Sequence, residues 1–154
     1  MSTMPKQKPG QSRQDYGTPR RFLDAVERRF GPMAVDLAST PENTKAPSRV
    51  DGDSLLANWS LLSGNLWLNP PFADIAPWAR KCYEEVTMQS EIYLLVPASV
   101  GTNWFRDWVF QKAYVMFLSP RLTFEGCSDP YPKDLMLCRY GSNPGFECWR
   151  WDRE

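Results

Sequence analysis

Two adjacent prolines, Pro70 and Pro71, stand directly behind Leu66-Trp67-Leu68-Asn69 and are followed by Phe72. Leu66 to Leu68 read as the end of a buried strand, because apolar and aromatic residues favour strands and a proline pair cannot continue a sheet ladder. The chain must therefore stop and turn at Asn69. Each proline fixes its own φ and lacks an N–H, and Pro71 pushes Pro70 into an extended conformation, so the turn is stiff and its carbonyls lack local donors. An amide oxygen, a bare carbonyl and a flat ring at a strand's carboxyl end suit one kind of guest, a planar heterocycle carrying an amino group. Phe72 would stack on its face, while the Asn69 side chain and the Pro70 carbonyl accept its two N–H bonds.

The other 147 residues restrict the chemistry available to such a turn. The 154-residue chain contains no histidine. Ser-His-Asp triads, Cys-His pairs, histidine general bases and histidine-ligated metals are thereby excluded, and no metal site is expected. The four cysteines, Cys82, Cys127, Cys138 and Cys148, form no C-x-x-C pair, and no apolar run is long enough to span a membrane. Reduced thiols in a cytoplasm are the expectation. Formal net charge is zero, although residues 1–50 hold nine Lys and Arg against five Asp and Glu, a local excess that reads as a solvated face. With 42% hydrophobic residues and seven Trp, the chain has enough apolar material for one folded domain. Residues 16–154 are assigned to that domain and residues 1–15, polar and aperiodic, to a disordered, mildly basic tail.

Along the chain, helical and strand patterns alternate. Thr18 can cap a helix with Pro19 at its first position, Phe22, Val26 and Phe30 on one face and Gly31 at its end. Met33 to Leu37 reads as a short strand. Only about thirty residues separate Asp36 from Asn69, too few for a full pair of helix-strand units, so the sheet is expected to be abbreviated there. Asp74 can cap a helix from Ile75 to Met88, Glu91 to Val96 reads as a buried parallel strand, Thr102 starts another helix, and Ala113 to Leu118 forms a further strand. Pro120 to Phe124 and Asp134 to Tyr140 flank a loop and read as a hairpin, with Phe146 to Trp151 adding an edge strand. The fold class is α/β: an abbreviated Rossmann-like sheet, mostly parallel with an antiparallel C-terminal hairpin, and helices on both faces.

Asn69-Pro70-Pro71-Phe72 resembles the [D/N/S]-P-P-[Y/F] motif of amino-methyltransferases that use S-adenosylmethionine. Tyr16-Gly17-Thr18-Pro19, the helix, and Ala34-Val35-Asp36-Leu37-Ala38-Ser39 are similar to the cofactor-binding start of adenine-specific DNA methyltransferases. Pro120-Arg121-Leu122-Thr123-Phe124, followed by Pro130-Tyr131-Pro132, is similar to a later segment of the same group. Together the motifs cover residues 16–140 and resemble the compact phage-type DNA N-6-adenine methyltransferases. The chain departs from most of that group in lacking a glycine-rich D-x-F-x-G-x-G loop.

The resemblance implies S-adenosylmethionine as cofactor and double-stranded DNA as partner, in a bacterial host cytoplasm. It gives Thr18-Pro19 the methionine carboxylate and Asp36 the methionine amine, with Tyr16 and Ala38 in the same site. Asp53, or Asp51 beside it, is a candidate for the ribose or adenine, and either acid also suits a turn next to Gly52. Asn69, Pro70, Pro71 and Phe72 become the catalytic turn, holding both hydrogens of a flipped adenine's amine. Arg121 and Lys133 are candidates for phosphate contacts. No Pro-Cys nucleophile pair is present, which argues against carbon-5 cytosine methylation. Two other readings remain open: methylation of another planar amine, on cytosine or a protein glutamine, and a non-catalytic nucleic-acid-binding relative.

Overall fold

A computed structural model describes residues 17–153; Tyr16 and the tail assigned to residues 1–15 lie outside the described residues. The elements run α1 (Arg20–Phe30), β1 (Met33–Asp36), β2 (Ser48–Arg49), two 3-10 turns (Ser54–Leu56 and Trp59–Leu61), β3 (Gly64–Leu68), α2 (Ala76–Glu85), β4 (Ser90–Pro97), α3 (Asn103–Trp108), β5 (Tyr114–Ser119), β6 (Leu135–Tyr140) and β7 (Gly145–Arg150). Seven strands form one sheet in the order β2-β1-β3-β4-β6-β5-β7. The pairings β2-β1, β1-β3, β3-β4 and β5-β7 are parallel, and β6 runs antiparallel between β4 and β5. The mixed α/β sheet expected from the sequence is present, with its antiparallel strand in the C-terminal half.

Strand alternation sorts the apolar residues into two layers. Leu66 and Leu68 of β3 and Ile92, Leu94 and Val96 of β4 face Trp78, Ala79 and Cys82 of α2 and Phe105 of α3. Trp67, Tyr93 and Leu95 point to the opposite face, where Phe22, Leu23 and Val26 of α1 cover them. Parallel register sets Trp67 beside Tyr93 and Leu68 beside Leu94, so both layers are continuous across the strands. An eleven-residue helix has little stability alone. Burial of Phe22, Leu23, Ala25 and Val26 therefore holds α1 in place, the larger side chains contributing roughly 1.5–3 kcal/mol each.

The region between Asp36 and Asn69 is abbreviated as expected. It holds a two-residue edge strand and two 3-10 turns. Trp59 anchors this segment: its Nε1 donates to Ser54 Oγ at 3.1 Å, its backbone N–H donates to Glu85 of α2, and its ring stacks on Trp78 at 6.3 Å.

Several local expectations are corrected. Thr18 does not cap α1; Pro19 occupies the N-cap position and makes no side-chain cap hydrogen bond. Asp74 does not cap α2, which begins after Ile75 and ends at Glu85, short of Met88. Thr102 does cap α3, accepting from the Phe105 N–H at 3.3 Å. Pro120 to Phe124 is not a strand: β6 pairs antiparallel with β4 and β5, and residues 120–134 form the loop between β5 and β6.

The edge strand expected at Phe146 to Trp151 is β7, and it pairs in parallel with β5 by crossing over that strand from β6. Neighbouring strands lie about 4.8 Å apart, so the four residues 141–144 must span roughly 10 Å. Gly141 makes the first bend with φ 102°, and a Cβ there would lie 2.9 Å from the Ser90 carbonyl oxygen. Gly141→Ala is expected to destabilise the protein by about 1–3 kcal/mol, since neither the backbone angle nor the facing backbone atom can yield freely. Urea unfolding of the variant checks this, and an unchanged midpoint would contradict it.

Candidate active site

The parallel strands β1 and β3 end side by side, and their carboxyl ends bring together residues far apart in sequence. Asp36 closes β1 and Asn69 follows β3, while Thr18 enters from the segment before α1. Asn69 Nδ2 donates to Thr18 Oγ1 at 3.1 Å. This bond uses the amide nitrogen inward and makes Oδ1, on the opposite side of the amide, the acceptor end. It also engages Thr18 as an acceptor, which directs its hydroxyl proton elsewhere. Thr18 and Asp36 are buried polar residues in the wall of a small cleft that also includes Gly17, Ala38, Asn43, Lys45, Trp67 and Asn69.

Asp36 is 3% exposed. Its Oδ1 accepts from the Ala38 N–H at 3.1 Å and its Oδ2 from the Lys45 N–H at 2.9 Å. Burial pushes its pKa above the ordinary aspartate value, and these two backbone donors oppose that shift only in part. Nearby Ser39 also favours the charged form, although its hydroxyl makes no hydrogen bond of acceptable geometry. A buried anion with its charge incompletely compensated is suited to a cationic guest.

A second cleft adjoins the first through Ala38, with a cavity of about 260 Å³ lined by Leu37, Ser39, Val50, Asp53, Ser54 and Trp78 among others. Its wall combines apolar side chains with a carboxylate. Asp53 lies in this wall while its side chain also accepts from the Leu55 N–H at 3.0 Å, so the turn role and the cleft position coexist. Asp51 is exposed and paired with Arg49 Nη2 at 2.6 Å. Three buried side-chain polar atoms lack a hydrogen-bond partner among the described residues: Trp67 Nε1, Ser39 Oγ and Ser142 Oγ. The first two belong to residues that line the two clefts. An unmade buried hydrogen bond disfavours the folded state by about 1–3 kcal/mol.

Pro70 and Pro71 are buried behind Asn69, whereas Phe72 is half-buried. Its ring meets Tyr131 at 5.6 Å and Phe124 at 6.3 Å, both edge to face. Those partners come from the 120–134 loop, which therefore packs directly on the proline turn. Arg121 and Lys133 sit on the same loop and are exposed, and Arg121 Nε pairs with Asp134 at 2.9 Å.

Lys45, which lines the small cleft, and its partner Glu125 had no signal in the sequence. Lys45 Nζ pairs with Glu125 Oε1 at 2.7 Å, eighty positions away. Glu125 also donates its backbone N–H to the Gly17 carbonyl, and its carboxylate lies where a Cβ on Gly17 would be. The β5–β6 loop is thus tied to the Gly17-Thr18 wall at one point and to Phe72 at another. No group of three or more metal-ligating side chains occurs among the described residues, and no described helix is long and apolar enough to cross a membrane.

Comparison with known proteins relates the chain to one family. The family described as DNA N-6-adenine-methyltransferase (Dam) matches residues 5–134. A DNA N-6-adenine-methyltransferase of Escherichia phage T1 is 27% identical over 131 residues, covering 84% of this chain and 55% of the phage protein. The chain therefore spans about half the length of that curated relative.

Proposed function

Because the chain belongs to the DNA N-6-adenine-methyltransferase (Dam) family, we propose that it moves a methyl group from S-adenosylmethionine to the exocyclic amine of adenine in double-stranded DNA. The observation that carries this reading is the Asn69–Thr18 hydrogen bond. It joins the proline turn, which presents acceptors to an amine, to a cleft with a buried acid, which suits a cofactor bearing an ammonium.

The residues present fit S-adenosylmethionine. Asp36 would take the ammonium, and Thr18, next to Pro19 at the start of α1, would donate to the carboxylate. The adjoining cleft, with Ala38 at its junction, would hold the nucleoside between apolar walls, with Asp53 toward its hydroxyls. The cofactor supplies an electrophilic methyl carbon on a sulfonium sulfur.

Asn69 and Pro70 supply what an adenine amine lacks. Its lone pair is delocalised into the ring, so it is a poor nucleophile. When Asn69 Oδ1 and the Pro70 carbonyl accept both amine hydrogens, the nitrogen moves toward tetrahedral geometry and its lone pair turns toward the methyl donor. Because Thr18 and the two prolines hold these acceptors in place before the reaction, little reorganisation is needed as charge develops. Phe72 would replace the stacking lost when the base leaves the duplex, and its edge-to-face contacts with Phe124 and Tyr131 keep its ring plane fixed. Arg121 and Lys133, on the loop that holds those rings, would contact phosphate, with Arg121 leaving Asp134 to do so.

Expression in a bacterial host lacking adenine methylation, followed by digestion of its DNA to nucleosides, tests the proposal. N6-methyladenine at defined sites is expected. A methyl group found on cytosine in that digest, or on glutamine in a digest of the host's proteins, would move the substrate to another planar amine. A folded protein that methylates neither and shows no thermal shift with S-adenosylmethionine would be a non-catalytic relative.

A further inference from the structure

We propose that the indole N–H of Trp67 is a binding donor for the cofactor's carboxylate, a role that rests on the cofactor reading above. Trp67 lies on β3, and its side chain is 0% exposed. Its ring is wedged under α1, 6.4 Å from Phe22 at an interplanar angle of 57°, so it cannot swing to seek another acceptor. Nε1 nevertheless has no hydrogen-bond partner among the described residues. Trp67 also lines the small cleft beside Thr18, Asp36 and Asn69. An indole nitrogen can only donate, so the group that completes it must be an acceptor.

The cleft wall divides by hydrogen-bonding type. Trp67 is a donor, and Thr18 has its hydroxyl proton to give because its oxygen already accepts from Asn69. Pro19, immediately after Thr18, is the N-cap of the eleven-residue α1, so the positive end of that helix begins next to Thr18. Asp36 supplies the negative charge. An α-amino acid group has the matching pattern, with its ammonium toward Asp36 and its carboxylate toward Trp67, Thr18 and the start of α1. Lys45 lines the same cleft, but its ammonium is paired with Glu125, so the indole is a neutral donor that adds no further cation beside Asp36. The adenosine part of the ligand has no such group and does not need this donor.

The experiment compares two ligands by titration calorimetry: S-adenosylhomocysteine, which carries the amino acid group, and 5′-methylthioadenosine, which does not. Trp67→Phe removes the N–H and keeps an aromatic ring. The variant is expected to lose about tenfold in affinity for S-adenosylhomocysteine and to keep its affinity for 5′-methylthioadenosine. In the wild-type protein, the Trp67 indole signal in a 15N-1H spectrum is expected to move downfield on saturation with the first ligand only. Equal losses for both ligands would reduce Trp67 to a packing residue. An indole signal unmoved by S-adenosylhomocysteine would overturn the assignment even if the variant fails to fold. If the wild-type protein binds neither ligand, the cofactor reading itself falls, a result separable from tight binding without an indole shift.

Discussion

Asn69→Ala is expected to lower the rate of methyl transfer by about 10²–10³-fold, the effect of deleting one preorganised polar group that acts chiefly in the transition state. Asn69 meets the proposed amine through Oδ1 and is held by Thr18 through Nδ2, so the substitution removes an acceptor and its support together. Cofactor affinity should change far less, because Asp36, Trp67 and the adjoining cleft remain. Single-turnover transfer to duplex DNA, read beside calorimetric binding of S-adenosylhomocysteine, separates the two quantities. Asn69→Asp supplies the control: it keeps an acceptor that can take the Thr18 hydroxyl proton, and it should retain more activity than alanine. An alanine variant as active as the parent would remove the mechanism proposed here.

Asp36→Ala is expected to weaken cofactor binding by roughly 10–100-fold, the range for losing a hydrogen-bonded partner of a charged group. The structure adds a pH dependence. Burial raises the folded pKa of Asp36 above the ordinary aspartate value. On acidification it therefore protonates before exposed aspartates do, and affinity for an ammonium-bearing ligand should begin to fall at a higher pH than an ordinary aspartate would set. Stability of the free protein follows the opposite sense. The contribution of a group whose folded pKa is raised is present in full below the unfolded pKa and is lost as pH rises through the folded pKa. Free protein is thus slightly disfavoured by this charge in the pH range where ligand binding needs it. Calorimetry across the acid range checks the first statement, with Asp36→Asn expected to bind weakly and without the acidic fall-off. A parent profile that is flat in that range would place the ammonium elsewhere.

Residues 66–72 show how much of the fold could be read locally. The strand, its abrupt stop and the stiffness of the turn all follow from neighbouring residues, because proline acts on its own φ and on the residue before it. The near-continuous apolar run of β4 likewise announced a strand covered on both faces. Thr18 was different. Locally it suited a helix cap, and the structure instead turns its hydroxyl to Asn69, fifty-one positions away. A hydroxyl satisfies whichever partner the packing brings near, and the capping pattern carries no record of that competition. The same limit applies to Pro120 to Phe124, which reads as one arm of a hairpin, whereas in the structure it belongs to a loop whose rings pack on Phe72.

By itself, the sequence determined the α/β alternation, the rigid Asn-Pro-Pro-Phe turn at a strand end, and a chemistry that must proceed without histidine. Each of these rests on interactions within a few residues or on composition. Only the tertiary structure decided that Asp36, Asn69 and Thr18 share one cleft, that Lys45 meets Glu125, that the Trp67 indole N–H has no partner among the described residues, and that β7 crosses β5 to pair in parallel. The physical reason is that these depend on strand order and register, which are set by the packing of whole layers; periodicity and turn chemistry reach no further than the element in which they occur.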